Sequence, residues 1–338
     1  LRCMALLSES SYKSPMLWMI AASGLVAALS YFLTGATLKF LQRRAILDHP
    51  NERSSHAVPI PRGGGLPVVA LTIPLWLIHF ETEQSSSIGI ILVGAIALAV
   101  ISWLDDLKPR SPAIRLAVQL MAVGLGVYSF STEQPLFGDV LPRWLEFGIV
   151  GIGWLWFVNL FNFMDGIDGI SSAQTIAICL GLIGIGLILE EAPVPIWYPA
   201  ALCAAFAGFA LWNLPPAKIF LGDIGSVTVG FLLGWLLLQL IYAGYAVSAF
   251  ILPLYYLTDA TITLLRRGAR GEKVWQAHRE HFYQRAIQLG KSHSSVSATI
   301  FTANVGLAGL AISAVDHPVV CLSLAAFIVG LLIHRLLR

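Results

Sequence analysis

Charge is scarce in this chain. Only 12% of its 338 residues are Asp, Glu, Lys or Arg, against 57% hydrophobic, and the mean hydropathy is +0.76; a soluble globule has roughly a quarter of its residues charged. Apolar surface on that scale cannot be hidden inside a water-soluble fold, so the chain reads as an integral membrane protein. A basic block is also lacking, and a net charge of +2 is too small to argue for nucleic acid as a partner. Cysteine is sparse. Cys3, Cys179, Cys203 and Cys321 form no CxxC or related spacing, and three of them lie in apolar runs, as small hydrophobes of packed helices do. There is no internal repeat or low-complexity tract. Nor is a cleavable signal visible: residues 1–16 are mixed and polar, and the apolar run that follows is long enough to remain as a span.

What is present is a succession of apolar runs of membrane-crossing length, about 20 residues each. Eleven can be marked, at 17–37, 63–80, 87–104, 112–130, 145–163, 170–189, 197–213, 225–243, 246–265, 296–315 and 318–336. The expected fold is therefore all-α and polytopic, a single transmembrane domain over 17–338 preceded by a short N-terminal segment, 1–16. Lys and Arg are distributed asymmetrically over the connections. Counting Arg115 with its adjacent loop, 18 of 21 fall in one alternate set, and only Arg2, Lys13 and Arg143 in the other. By the positive-inside rule that set is cytoplasmic. The N-terminus is then periplasmic and the C-terminus cytoplasmic, and the loops 38–62, 104–111, 163–170, 214–226 and 266–295 face the cytosol.

Those five loops hold most of the polar chemistry, and carboxylates beside a hydrocarbon layer are costly unless hydrated, paired or metal-bound. The first, DHPNERSSHAVPIPRGGG, offers Arg53, His56 and Arg62, with three glycines that would let a backbone approach a ligand. The second, LDDLKPRSPAIR, ends a span on Asp105 and Asp106; adjacent carboxylates stay ionised only near a cation, either Mg²⁺ or a basic side chain. In the third, NLFNFMDGIDGISS, Asp165 and Asp168 would share a face if helical, but Gly166 and Gly169 interrupt the turn, and Asn159 and Asn162 stand upstream. The fourth, WNLPPAKIFLGDIGS, sets Phe220 three residues before Asp223, where the aromatic ring could stack on a base and the acid could bind metal or cap the next helix. In the fifth, AHREHFYQR, spacings of three and four put His278, His281 and Arg285 on one helical face, a cationic grip for a diphosphate; no third ligand accompanies the histidines to make a zinc site. Five such clusters on one membrane face describe metal-dependent phosphoryl transfer better than a pore or carrier.

The ordered set DHPNERSSH with PRGGG, DD, NFMDGIDG, WNLPPAKIFLGDIGS and HREHFYQR, running from about residue 48 to 290, resembles the polyprenyl-phosphate N-acetylhexosamine-1-phosphate transferase family. That family includes bacterial enzymes initiating O-antigen and related glycans and the phospho-MurNAc-pentapeptide translocase. The resemblance implies ten or eleven spans in the bacterial inner membrane, a requirement for Mg²⁺ or Mn²⁺, a UDP-N-acetylhexosamine donor, undecaprenyl phosphate as acceptor and a homodimer as the candidate assembly. By motif position, Asp105 and Asp106 match the paired aspartates, one of which would deprotonate or orient the lipid phosphate. Asp223 matches the metal ligand, with Asp105 a second candidate. Phe220 and Asn213 match the uridine pocket, Asn162, Asp165 and Asp168 the region near nucleotide and metal (Asp168 among the catalytic set), and His278, His281 and Arg285 a loop that holds the diphosphate or sugar. Two departures separate the chain from the translocase pattern: Lys108 lies three residues after Asp105 rather than four, and HREH stands where the translocase has three consecutive histidines. Both favour the O-antigen or enterobacterial-antigen branch, using GlcNAc, GalNAc or a 6-deoxy-HexNAc. The rivals are peptidoglycan-precursor transfer, a polytopic transporter, whose ionisable groups should lie near mid-membrane, and a non-catalytic lipid-binding relative.

Overall fold

A computed structural model describes residues 2–48, 58–83, 86–131, 133–274, 276 and 278–338; Arg53 and His56 lie outside them. Helices occupy 76% of the described residues. In order they are α1 (Arg2–Arg43), α2 (Gly65–Glu83), α3 (Ser86–Leu107), α4 (Pro112–Tyr128), α5 (Arg143–Phe163), α6 (Ile170–Ile188) and α7 (Trp197–Asn213). There follow α8 (Asp223–Tyr242), α9 (Ala246–Ile251), α10 (Leu254–Ala269), α11 (Phe282–Gln288), α12 (His293–Ser313) and α13 (Pro318–Leu337). A two-residue antiparallel pair, β1 (Leu47–Asp48) with β2 (Ile60–Pro61), links α1 to α2.

Each of the eleven apolar runs is helical. One differs from expectation: the run 246–265 is divided into α9 and α10 at Leu252-Pro253, because proline has no N–H to continue the ladder and its ring crowds the preceding turn. Among the described residues, seven helices are long and apolar enough to cross a membrane: α1 from Met16, α3 from Ile88, α5, α6, α8, α12 and α13. The apolar parts of α2 and α4 are shorter. The first helix is continuous from Arg2 to Arg43.

The helix α8 is the axis of the bundle. It is apolar all round, 89% of its span is buried, and it packs against α2, α3, α5 and α9, as a helix with no polar face must. By contrast only 11% of the apolar stretch of α1 from Met16 onward is buried, leaving Trp18, Phe32 and Leu25 exposed on an outer surface suited to lipid. Trp154 of α5 lies flat on Phe231 of α8, ring centroids 4.7 Å apart, and its indole N–H donates to Phe231 O (3.1 Å). Gly126 and Gly234 face that ring, where any Cβ would collide with it. Of the cysteines, Cys179 and Cys321 are buried, unpaired and apolar in setting.

Two sequence motifs form one backbone junction at the start of α8. Gly63 and Gly64 N–H donate to Phe220 O (3.2 and 2.8 Å), Gly65 N–H to Leu221 O (2.7 Å), and Phe220 N–H returns a bond to Pro61 O (2.8 Å). A Cβ on Gly65 would overlap Gly225 Cα. The expectation that these glycines admit a ligand is thereby corrected. They admit another stretch of backbone, locking the PRGGG segment to the FLGDIG segment, because only residues without a side chain permit such an approach.

Candidate functional site

The carboxylates of α3 and α8 meet at one end of the bundle and are held there by two arginines. Arg62 Nε lies 2.8 Å from Asp106 Oδ1, and its Nη2 also bonds Asp223 Oδ1. Arg115 Nη1 lies 2.7 Å from Asp105 Oδ2 and 3.3 Å from Asp223 Oδ2. Burial alone would lower the Arg62 pKa, but Asp223, Asp106 and Asp48 around it push it further up, so this guanidinium is permanently charged.

Asp106 is committed twice over. Beyond Arg62, it accepts Asp223 N–H on Oδ1 and Ile224 N–H on Oδ2, both at 3.0 Å. These are the first amides of α8, whose own cap, Gly222, has no side chain. A carboxylate from another helix thus satisfies donors that a helix start always leaves over, and meets the positive end of its dipole. Its side chain is 0% exposed, against 11% for Asp105 and 10% for Asp223. Of the adjacent pair, Asp105 is the one open to solvent; besides Arg115 it takes the backbone N–H of Arg110 (2.6 Å). Asp223 caps nothing with its side chain.

Asn162, at the end of α5, accepts from Ser226 Oγ (2.9 Å) in the first turn of α8, which brings it to this cluster. Asp165 follows, outside any helix, accepting Ser171 Oγ at 2.6 Å. Burial pushes its carboxyl up to about 6 despite that bond. Asp165 and Asp168 do not share a helical face: the stretch between α5 and α6 is non-helical, Gly169 has φ +77°, and the two acids diverge. Asp168 accepts Ala217 N–H (3.0 Å) and faces His293 Nδ1 (3.1 Å), while its carbonyl accepts Ser297 Oγ (2.6 Å). Burial opposes its ionisation, but the His293 and Ala217 bonds outweigh this and hold it below the usual carboxylate range. Asn213 accepts Gly169 N–H (3.1 Å) and donates to Ile219 O (3.0 Å). Asp168 and Asn213 therefore tie the DGIDG loop to the PPAKIF loop. Phe220 is half-buried, and its backbone carries the glycine junction.

The late motif departs most from expectation. His278, His281 and Arg285 do not lie on one helical face, because α11 begins only at Phe282. His278 is in the preceding coil, His281 is the buried residue at the cap, and Arg285 is exposed. The anchor behind this is Asp259 of α10, 0% exposed, which sequence reasoning passed over inside the run 246–265. Its carboxylate accepts Tyr255 OH (2.9 Å), Thr263 Oγ1 (3.3 Å), Phe282 N–H (3.0 Å) and Tyr283 N–H (3.4 Å), and lies 3.1 Å from His281 Nδ1. Asp259 does for α11 what Asp106 does for α8. The available signal was a lone acid in an apolar span, which by itself asks for partners. The His278 ring lies tilted beside that of His281, ring centroids 4.8 Å apart; burial, with His281 and Arg267, lowers its pKa to about 4. At neutral pH it is a hydrogen-bonding group and not a cation, which corrects the reading of a cationic face.

Hard oxygen donors suit Mg²⁺ or Mn²⁺, and Mg²⁺ commonly takes only one or two carboxylates, completing its shell with water and substrate phosphate. Among the described residues no three Asp, Glu, His or Cys side chains are already arranged to hold a metal ion, and Asp106 is engaged with α8. The donor set that fits is Asp223 with Asp105.

An apolar helical bundle of this kind is a polytopic membrane protein, and this one gathers carboxylates, arginines and backbone amides at one end. Residues 88–241, from α3 through α8, match the model of glycosyl transferase family 4. The decaprenyl-phosphate N-acetylglucosaminephosphotransferase of Mycobacterium tuberculosis is 27% identical over 321 residues, covering 83% of this chain and 79% of its own. The probable undecaprenyl-phosphate N-acetylglucosaminyl 1-phosphate transferase of Bacillus subtilis is 27% identical over 300 residues, 85% and 81%. The undecaprenyl-phosphate alpha-N-acetylglucosaminyl 1-phosphate transferase of Thermotoga maritima is 31% identical over 205 residues, 60% of each. These matches support the resemblance of the chain to the polyprenyl-phosphate N-acetylhexosamine-1-phosphate transferase family.

Proposed function

We propose that this protein transfers an N-acetylhexosamine 1-phosphate from a UDP-sugar to undecaprenyl phosphate at the cytoplasmic face of a bacterial inner membrane, as the first step of a lipid-linked glycan. The observation that carries the reading is the Asp105, Asp106, Asp223, Arg62 and Arg115 cluster at one end of an apolar bundle. It is supported by relatives whose names specify N-acetylglucosamine 1-phosphate transfer to a polyprenyl phosphate.

In the reaction an oxygen of the lipid phosphate attacks the β-phosphorus of the donor. The bond from that phosphorus to the bridging oxygen breaks, UMP leaves, and a diphosphate joins lipid to sugar. Both reactants are anions, so positioning and charge neutralisation supply most of the catalysis. Asp105, the accessible member of the pair, would take a proton from the acceptor phosphate. Asp106 keeps the α8 N-terminus and Arg62 in place, and the positive dipole end of α8 faces the same anions. A divalent cation at Asp223 and Asp105 would supply further neutralisation of the two phosphates.

An apolar space of about 600 Å³, lined among others by Phe137, Trp154, Phe157, Leu237 and Phe250, lies along the C-terminal half of α8, away from Asp223 at the start of that helix; a prenyl tail whose phosphate sits at the cluster would have to run along α5 and α8 to reach it. Eleven spans with a periplasmic N-terminus fit both the helix ends that carry the site and the Lys/Arg asymmetry. A transporter would need its ionisable groups near mid-membrane; these cluster where helices end.

The reading is tested by UMP release from detergent-purified protein with undecaprenyl phosphate and Mg²⁺, across UDP-GlcNAc, UDP-GalNAc, UDP-FucNAc, UDP-QuiNAc and UDP-MurNAc-pentapeptide. Lipid-dependent release with one N-acetylhexosamine donor is the expected result; release with the pentapeptide donor alone would move the protein to the translocase branch.

Asp165 supplies a prediction with a definite sign. An acid whose folded-state pKa is raised, here from 3.8 to about 6, binds its proton more tightly when folded. Its ionisation therefore opposes folding, so stability falls as pH rises through that window and stays lower at pH 7.5. Asp165→Asn should stabilise the ligand-free protein at pH 7.5 by on the order of 1 kcal/mol while lowering turnover. Thermal melts at pH 5 and 7.5 check this: a gain no larger at pH 7.5 than at pH 5 would contradict it.

A further inference from the structure

One guanidinium nitrogen bridges Asp105 and Asp223. Arg115 Nη1 stands 2.7 Å from the first and 3.3 Å from the second, while Arg62 closes the far side on Asp106 and Asp223. The two arginines are not equivalent. Arg62 belongs to the segment whose next three amides are pinned to Phe220 and Leu221, and it reaches two carboxylates that are themselves fixed at the start of α8. Arg115 is in the first turn of α4, its side chain is 37% exposed, and its hydrogen-bonding partners are the two carboxylates it bridges. A long side chain so placed has room to swing away.

A guanidinium between two carboxylates occupies the space a divalent ion shared by them would require. The charge count points the same way. Three carboxylates and two guanidiniums leave the cluster one negative charge, and a divalent cation would turn this into one positive charge, which an anion can then satisfy. We propose that Arg115 is a placeholder cation that holds Asp105 and Asp223 together in the ligand-free protein, yields them to the divalent ion, and then binds a phosphoryl oxygen of the donor diphosphate. The inference rests on the metal reading above and adds to it a residue that changes partner during the cycle.

The exchange has a signature that a purely structural arginine lacks: deleting it should strengthen metal binding. Mn²⁺ affinity is to be measured by electron paramagnetic resonance on detergent-purified wild type, Arg115→Ala, Arg115→Lys and Asp223→Asn, without nucleotide. Arg115→Ala should bind Mn²⁺ about fivefold more tightly, the equivalent of releasing one well-placed exposed ion pair, and Arg115→Lys should fall between it and wild type. With Mn²⁺ saturating, UDP affinity should drop at least about tenfold in Arg115→Ala, since a charge-assisted bond is lost. Mn²⁺ affinity in Arg115→Ala equal to or weaker than wild type, or unchanged UDP affinity, overturns the exchange. Mn²⁺ binding that is absent, or indifferent to Asp223→Asn, overturns the metal reading and the exchange with it, a failure distinct from the first.

Discussion

Asp223→Asn should reduce turnover by about a thousandfold or more at every Mg²⁺ concentration, because the change removes a charge from the point where two anionic phosphates must be brought together. The neutral amide is nearly isosteric, so the loss would be electrostatic: an acceptor shared by Arg62 and Arg115 becomes a group that presents an N–H₂ to one of them. Fold damage should be small. The first amides of α8 are satisfied by Asp106 and not by Asp223, so the melting temperature should stay within a few degrees of wild type while activity vanishes. Near-normal turnover would remove Asp223 from the cation site; a collapse in melting temperature equal to the loss of activity would make its role structural.

The second large effect concerns Asp259. Replacing it with leucine leaves Tyr255, Thr263, two α11 amides and His281 without their common acceptor in a region with no solvent. Removing one member of a buried polar network costs about 3–5 kcal/mol, so Asp259→Leu should melt far below wild type. Asp259→Asn, which keeps one oxygen and adds unwanted donors, should be intermediate. Activity should fall in both, since the α10–α11 connection carrying His278 loses its anchor. Thermal unfolding in micelles gives the answer: an unshifted Asp259→Leu would show the carboxylate to be dispensable to the loop.

These two acids illustrate what was readable before the fold was known. Apolar runs of about 20 residues read directly as helices, since backbone groups in lipid must be satisfied internally, and the motifs DD, DGIDG and FLGD could be seen to lie at helix ends. Which partner each acid would meet was not readable, because every decisive bond crosses the bundle. Asp106 caps a helix 117 positions later in sequence, and Arg115 reaches Asp223 across 108. Local periodicity also misled. The spacing of His278, His281 and Arg285 matches a helix, but the histidine at 281 caps one and the helix starts after it. Asp259 escaped notice because a single acid in an apolar run carries no motif. Pro253 was the better omen, a helix breaker in plain view within a run taken as one span.

The most direct test of the central claim follows the phosphorus. Purified protein is incubated with Mg²⁺, undecaprenyl phosphate and UDP-GlcNAc labelled with ³²P in the β-phosphate, and the lipid is then extracted. Transfer of a sugar 1-phosphate predicts label in the lipid fraction and unlabelled UMP in the aqueous one, both lost in Asp223→Asn. Label retained in UDP, with sugar alone appearing on the lipid, would contradict phosphoryl transfer and require a different reaction at the same cluster.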